Sequence, residues 1–276
     1  MTEPCHINAL RHVAQLGHGR VSFLEWPNAG PTALLCHGIT SSAVTMWRLG
    51  EDLAAEGWRV IAIDMPGHGQ SDLSPAYDID TVAGIVGDLI VTLGLSDVVM
   101  VGHSWGGATT LALLSRDHPA RAAVQRAVLI DPLIRQEAAV APSWLPQFSR
   151  GVGEPPEATL PMLRETNPDW HPCDYHWKAQ ALAECRYEQV AGLFLIPDDW
   201  TLAPRIGQVQ VPLLILLAEP AYTIVPPAVQ AELRAAAPPG LVRMQLIPGT
   251  NHNMLRGPGY GPTYAAIRAF LIAPLS

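Results

Sequence analysis

At 276 residues, with 49% hydrophobic and 15% charged side chains, the chain can build one sizeable core: a large α/β domain, or such a domain carrying an insertion. A net charge of −8 and a pI of about 5.6 argue against nucleic acid or an anionic membrane surface as partner. The four cysteines (Cys5, Cys36, Cys173, Cys185) lie far apart and form no C-x-x-C pair, so reduced thiols in a cytoplasmic protein are expected.

The first residues lack the basic stretch and apolar run of a signal peptide. No apolar run reaches the roughly 18–20 residues that span a bilayer. Residues 9–26 read as a hairpin around Gly17-His18-Gly19. Ala33–Cys36 is a short apolar strand that runs into His37-Gly38-Ile39-Thr40-Ser41-Ser42. Apolar positions at helical spacing follow over 43–56, with Gly57 as the stop. Val60–Ile63 is a second buried strand, ending in Asp64-Met65-Pro66-Gly67-His68-Gly69-Gln70-Ser71-Asp72. A helix is predicted over 80–94.

Val98–Val101 is the next strand, and it enters Gly102-His103-Ser104-Trp105-Gly106. In this strand–turn–helix context, G-x-S-x-G holds its serine in a strained turn at the carboxyl end of a sheet. The glycines on either side let strand and helix approach closely. A helix to about His118 and a strand over Ala127–Ile130, ending at Asp131-Pro132, continue the alternation. Strands alternating with helices predict a parallel sheet with right-handed crossovers, and continuous apolar runs predict cover on both faces.

The alternation stops at Pro132. Up to Pro204 the chain holds ten prolines, four of its eight tryptophans and no clear strand. That is too long for a simple loop. It reads as an inserted helical cap, with helices near 157–165 and 174–192. The expected division is a core of residues 1–131 and 206–276 and a cap of residues 132–205. After the cap come a strand over Val211–Ala218, a helix over 226–237, a strand over Val242–Ile247, a loop with Asn251-His252-Asn253 and a closing helix near 262–272.

Sheets of this type carry functional loops at the carboxyl ends of their strands. The chemically interesting residues fall there: His37-Gly38-Ile39, Ser104, Asp131, Glu219 and His252. A serine needs a base to become a nucleophile, the base needs an orienting acid, and the reaction needs an oxyanion hole. On His37-Gly38, Asp64–Ser71, Gly102–Gly107 and Gly249-Thr250-Asn251-His252, the sequence resembles the α/β-hydrolase fold superfamily, in its cap-bearing esterase, lactonase and dehalogenase-like branch, from about residue 30 to 273.

The resemblance implies Ser104 as nucleophile and His252 as general base, with Asn251 where the superfamily usually has glycine. It implies backbone oxyanion donors at Ile39 and Trp105. The His37 side chain is expected to brace its loop, and Asp64 its own glycine turn. The acid is open. The usual Gly-x-x-Asp loop reads Ala218-Glu219-Pro220-Ala221-Tyr222, whose Asp slot holds Ala221 or Tyr222. Asp131, at the other strand end used in the superfamily, is the first candidate. Glu219 is the second, and Asp198 or Asp199 in the cap remain.

Dehalogenases and epoxide hydrolases of the superfamily attack with an aspartate, which is Ser104 here. Trp105 matches a dehalogenase tryptophan, yet Ile39 replaces the polar halide ligand, so Trp105 is read as lining the acyl pocket. The expected activity is hydrolysis of a carboxylic ester or lactone of an apolar or aromatic small molecule. Thioester, amide or C–C hydrolysis, and a non-catalytic ligand-binding protein, stand as alternatives. Trp144, Trp177, Trp200 and Tyr222 are expected to contact substrate. The spacing His171-x-Cys173-x-x-His176 matches no standard zinc pattern, and no metal or other cofactor is expected. Oligomeric state is not readable from the sequence.

Overall fold

The computed structural model describes residues 5–273. Strand β1 (Leu10–Leu16) and β2 (Gly19–Trp26) form the antiparallel hairpin, turning at Gly17-His18. Then come β3 (Thr32–Cys36), α1 (Trp47–Ala55), β4 (Arg59–Ile63), α2 (Ile79–Thr92), β5 (Val98–His103), α3 (Trp105–Leu114) and β6 (Val124–Ile130). The chain returns to the sheet with β9 (Leu213–Leu217), α8 (Pro227–Ala236), β10 (Val242–Leu246) and α9 (Tyr260–Ile272). The sheet order is β1-β2-β4-β3-β5-β6-β9-β10, parallel from β4 through β10.

The continuous apolar runs divide by parity. Leu34, Met100 and Leu129 point to the side of α2, α3 and α8, whereas Leu35, Val101 and Val128 point to the side of α1 and α9. Successive strand residues face opposite ways, so a run without polar interruption is needed when both faces are buried. Every residue of β3 and β5 is buried. α2 starts at an N-cap, where the Asp78 carboxylate accepts the Thr81 N–H at 2.9 Å.

Between β6 and β9 lie β7 (Arg135–Gln136), α4 (Leu145–Phe148), α5 (Pro156–Thr166), α6 (Pro172–Ala183), α7 (Tyr187–Phe194) and β8 (Trp200–Thr201). The single helix expected over 174–192 is two helices. Its break falls at Arg186, whose N–H leaves the helix and donates to the Gly67 carbonyl at 2.8 Å. β7 and β8 pair antiparallel in a two-residue ribbon that was too short to read in the sequence.

The expectation of four reduced thiols is corrected. Cys5 and Cys173 form a disulfide across 168 positions, joining the amino-terminal segment to the first turn of α6, while Cys36 and Cys185 are free and buried. Their Cα atoms are 5.4 Å apart, a proximity created by the fold that spacing along the chain does not encode. No helix among the described residues is long and apolar enough to cross a membrane.

Candidate active site

Ser104 sits between β5 and α3 with φ 53° and ψ −116°. An L-residue in this left-handed region is strained, and the neighbours hold it there. A Cβ on Gly102 would stand 2.3 Å from the Gly106 carbonyl oxygen, and one on Gly106 would stand 2.2 Å from the Cys36 carbonyl oxygen. Both glycines are therefore required by close packing of strand, turn and helix. The Ser104 N–H donates to Ile130 O at 2.9 Å, and the Leu133 N–H donates back to Ser104 O at 3.1 Å, locking the turn to the end of β6.

His252, in the loop after β10, places Nε2 3.0 Å from Ser104 Oγ. Its Nδ1 lies 2.7 Å from Asp131 Oδ2. The two bonds fix the tautomer: Nδ1 carries the proton and donates to Asp131, leaving Nε2 to accept from the serine hydroxyl. Asp131 follows β6 with φ 42°, and its side chain is fully buried. A buried carboxylate must have its oxygens satisfied. Here Oδ2 also accepts the Ile224 N–H at 3.1 Å, while Oδ1 accepts the Thr223 hydroxyl and the Ala218 N–H at 3.4 Å.

Thus the loop after β9, where the sequence lacks an aspartate, supplies donors to an aspartate on the adjacent strand. Glu219 does something else. Its carboxylate accepts the Gly249 N–H at 3.0 Å, and its own N–H donates to Thr250 O at 3.1 Å, so it ties down the loop that carries His252. Asp199 accepts the Ala138 N–H at 2.7 Å, and neither it nor Asp198 is bonded to His252.

The loop after β3 is held by two neutral imidazoles. His37 Nδ1 donates to Gly38 O at 2.7 Å while Nε2 accepts the Met65 N–H at 3.0 Å. His68 Nδ1 donates to Pro66 O at 2.9 Å and Nε2 accepts the Thr40 N–H at 3.1 Å. Burial pushes both down to about 3, which keeps these acceptor nitrogens available. Asp64 accepts from Ala43 N–H at 2.7 Å, from Gln70 N–H at 3.2 Å and from Arg11 at 2.5 Å, so it braces this loop as well as its own glycine turn. His103, which the sequence did not single out, donates from Nε2 to the His252 carbonyl at 2.8 Å; burial holds it well below the usual imidazole range. The backbone N–H groups of Ile39 and Trp105 donate to no other group among the described residues.

Ser104 and His252 face a cleft with two lobes. One, about 510 Å³, is walled by Trp105, Leu133, Ala141, Phe194, Pro226 and Val229. The other, about 440 Å³, holds Thr40, Asn167, Trp170, Lys178, Asn253 and Arg256. Trp144 lines both lobes. The structure does not bring the other expected contacts to the cleft. Trp177 packs against the core on the α1/α9 side and Trp200 against the core on the other side. Tyr222 is 61% exposed at the outside of its loop. Aromatic residues in an irregular segment serve its own packing as readily as a ligand, and sequence does not say which way each faces. Among the described residues no group of three or more His, Cys, Asp or Glu side chains is placed to hold a metal.

An eight-stranded sheet of this order, with a strained serine after its fifth strand and a histidine after its last, defines a class of protein. A family model described as the alpha/beta hydrolase fold matches residues 31–170, and the chain belongs to that family. It is 38% identical over 92 residues to bifunctional epoxide hydrolase 2 of Sus scrofa, covering 32% of this chain and 16% of that protein. It is 34% identical over 130 residues to a non-heme chloroperoxidase of Streptomyces lividans, covering 46% of each. The chain thus spans less than half the length of these curated relatives. The solved structure of E-2-(acetamidomethylene)succinate hydrolase has a similar fold, with TM-score 0.77 and 23% identity, covering 96% of this chain and all of that one.

Proposed function

We propose that the protein is a serine hydrolase that cleaves a carboxylic ester or lactone through an acyl-enzyme. The observation that carries this reading is the continuous chain from Ser104 Oγ through the His252 ring to the buried Asp131 carboxylate, at 3.0 and 2.7 Å. Ser104 Oγ attacks the carbonyl carbon as His252 Nε2 takes its proton. The developing oxyanion is stabilised by the Ile39 and Trp105 N–H groups, each worth about 3–4 kcal/mol in comparable sites. His252 then gives the proton to the leaving alcohol. A water deprotonated by His252 attacks the acyl-enzyme, and the acid departs as Ser104 regains its proton. Asp131 holds the productive tautomer and stabilises the imidazolium without taking the proton itself.

A hydroxyl nucleophile favours acyl transfer over the epoxide chemistry named in one relative, because opening an epoxide through a covalent ester requires a carboxylate where Ser104 stands. Residues 132–205 are the proposed cap over a core of residues 1–131 and 206–276, with Trp144 and Phe148 reaching both lobes. The substrate is a small molecule with an apolar arm in the lobe lined by Leu133 and Phe194. The test is turnover of a panel of aliphatic and aromatic esters and lactones by the wild-type protein and by Ser104→Ala. Serine-dependent release of acid is expected. A folded protein that turns over no ester or lactone would overturn the reading.

A further inference from the structure

We propose that the second lobe is a carboxylate-binding subsite, so that the substrate is an ester or lactone carrying an anionic group, held by Lys178 and Arg256 while Ser104 attacks the carbonyl. This refines the substrate class and rests on the hydrolase reading, but the subsite itself stands on the geometry of the lobe.

Lys178, on α6, keeps some accessible surface, yet its ammonium is enclosed by protein. It donates to Thr40 O at 2.5 Å and Thr40 Oγ1 at 2.9 Å, which leaves one of its three N–H donors uncommitted. Arg256, 7% exposed, donates to Asn253 Oδ1 at 3.0 Å and Ser41 Oγ at 3.2 Å, and its guanidinium carbon lies 5.0 Å from the centroid of the Trp170 ring. Most of its five donors remain available. Neither cation has an ion-pair partner within 4.0 Å among the described residues, and no Asp or Glu lines the lobe. The Asp174 carboxylate, which acts on Arg256 from a distance, is committed to Trp47 Nε1 and to the His171 and Gly257 N–H groups.

Two cations enclosed in one lobe, which the exposed Arg150 also lines, with no carboxylate in ion-pair contact with either, are costly to fold. Burial and the Arg256 charge lower Lys178 from 10.5 to about 7. Structural needs do not account for this arrangement, because a neutral donor would hold the Thr40 carbonyl equally well. A carboxylate entering from the cleft offers the missing acceptor to both groups, and the planar guanidinium suits bidentate contact. The same lobe contains Ser104 and His252, so a bound carboxylate lies in the same molecule as the scissile bond.

The experiment has two arms. In the first, calorimetry at pH 6 measures binding of aliphatic dicarboxylates from succinate to adipate, with the matching diamides as neutral controls. At least one dicarboxylate is expected to bind more tightly than its diamide. Its affinity should fall roughly 30-fold or more in Arg256→Gln and in Lys178→Gln, which keeps a neutral donor for Thr40, as when one partner of a buried charge pair is removed. In the second, kcat/KM is compared for methyl half-esters of these diacids and neutral methyl esters of equal length. The half-ester is expected to be preferred, and the variants should lose that preference, the half-ester losing far more kcat/KM than the neutral ester does.

Equal binding of diacid and diamide, or variants that slow both esters in parallel, would overturn the subsite and leave the two side chains as braces of the Thr40 loop. Dicarboxylate binding that depends on both cations, in a protein that hydrolyses no ester, would uphold the subsite and overturn the hydrolase reading instead.

Discussion

The two walls of the cleft are built in different ways. The core wall places Ser104, Asp131 and His252 on turns leaving three strands of one sheet, each turn fixed by backbone hydrogen bonds to its neighbour. The opposite wall is assembled from α4, α5, α6, α7 and their connecting loops, with the start of α8 and Arg256 beside them, and there charge, aromatic surface and apolar packing alternate without a period. Parallel-sheet geometry determines the first wall, so any sequence with the right strand ends reproduces it. Nothing comparable constrains the second, which is free to specify a ligand. On the proposed reading, bond breaking belongs to the strand-end turns and substrate choice to the opposite wall together with Arg256 from the loop after β10, and variants in the two should behave differently.

The largest effect is expected at the nucleophile. Ser104→Ala should lower kcat for any ester substrate by about 10⁶-fold, and a residual rate near wild type would remove the core wall from the chemistry. Next is the acid. Asp131→Asn should cost about 10⁴-fold in kcat by leaving His252 in the wrong tautomer, whereas Glu219→Gln, which touches only the Gly249 amide, should stay within a few-fold. Initial rates on one ester decide between them.

A smaller effect is expected from pH on the insertion wall. The groups facing Lys178 are Arg256, the Cys185 thiol, which burial raises to about 12, and the imidazoles of His37, His68 and His103, all lowered. Of these, Lys178 changes charge near neutrality. It is cationic below about 7, so the kcat/KM ratio of half-ester to neutral ester should fall as pH rises from 6 to 9. The ratio cancels titrations common to both substrates. A pH-independent ratio would separate Lys178 from substrate choice. The sign for stability is also fixed. The unfolded chain holds this proton up to 10.5 and the fold only up to about 7, so the ammonium opposes folding most below 7 and that penalty fades toward 10.5.

The smallest effect on rate is expected from the disulfide. Cys5→Ser should lower stability by about 2–4 kcal/mol, seen as a lower Tm, while rates at 25 °C change little because neither cysteine reaches the cleft.

The same division explains how much was legible in the sequence. The sheet, the serine turn and the histidine loop follow from hydrophobic runs and from glycines at fixed offsets, since strand ends recur at predictable places. The choice between Asp131 and Glu219 was not legible. It depends on Thr223, Ile224 and Ala218 turning their donors toward β6, a relation between adjacent strands with no signature along the chain. Lys178 and Arg256 were missed because a lysine on a helix and an arginine in a loop match no pattern until the fold places both in one lobe. Trp177 and Trp200 misled for the converse reason: a tryptophan in an irregular segment announces burial and not direction.

The most direct test of the central claim is the rate and site of fluorophosphonate modification, mapped by peptide mass spectrometry in the wild type, Asp131→Asn and Glu219→Gln. One adduct on the Ser104 peptide is expected, forming rapidly in the wild type and in Glu219→Gln and orders of magnitude more slowly in Asp131→Asn. A folded protein that takes up no label, an adduct on another residue, or a rate that depends on Glu219 instead of Asp131 would contradict the account.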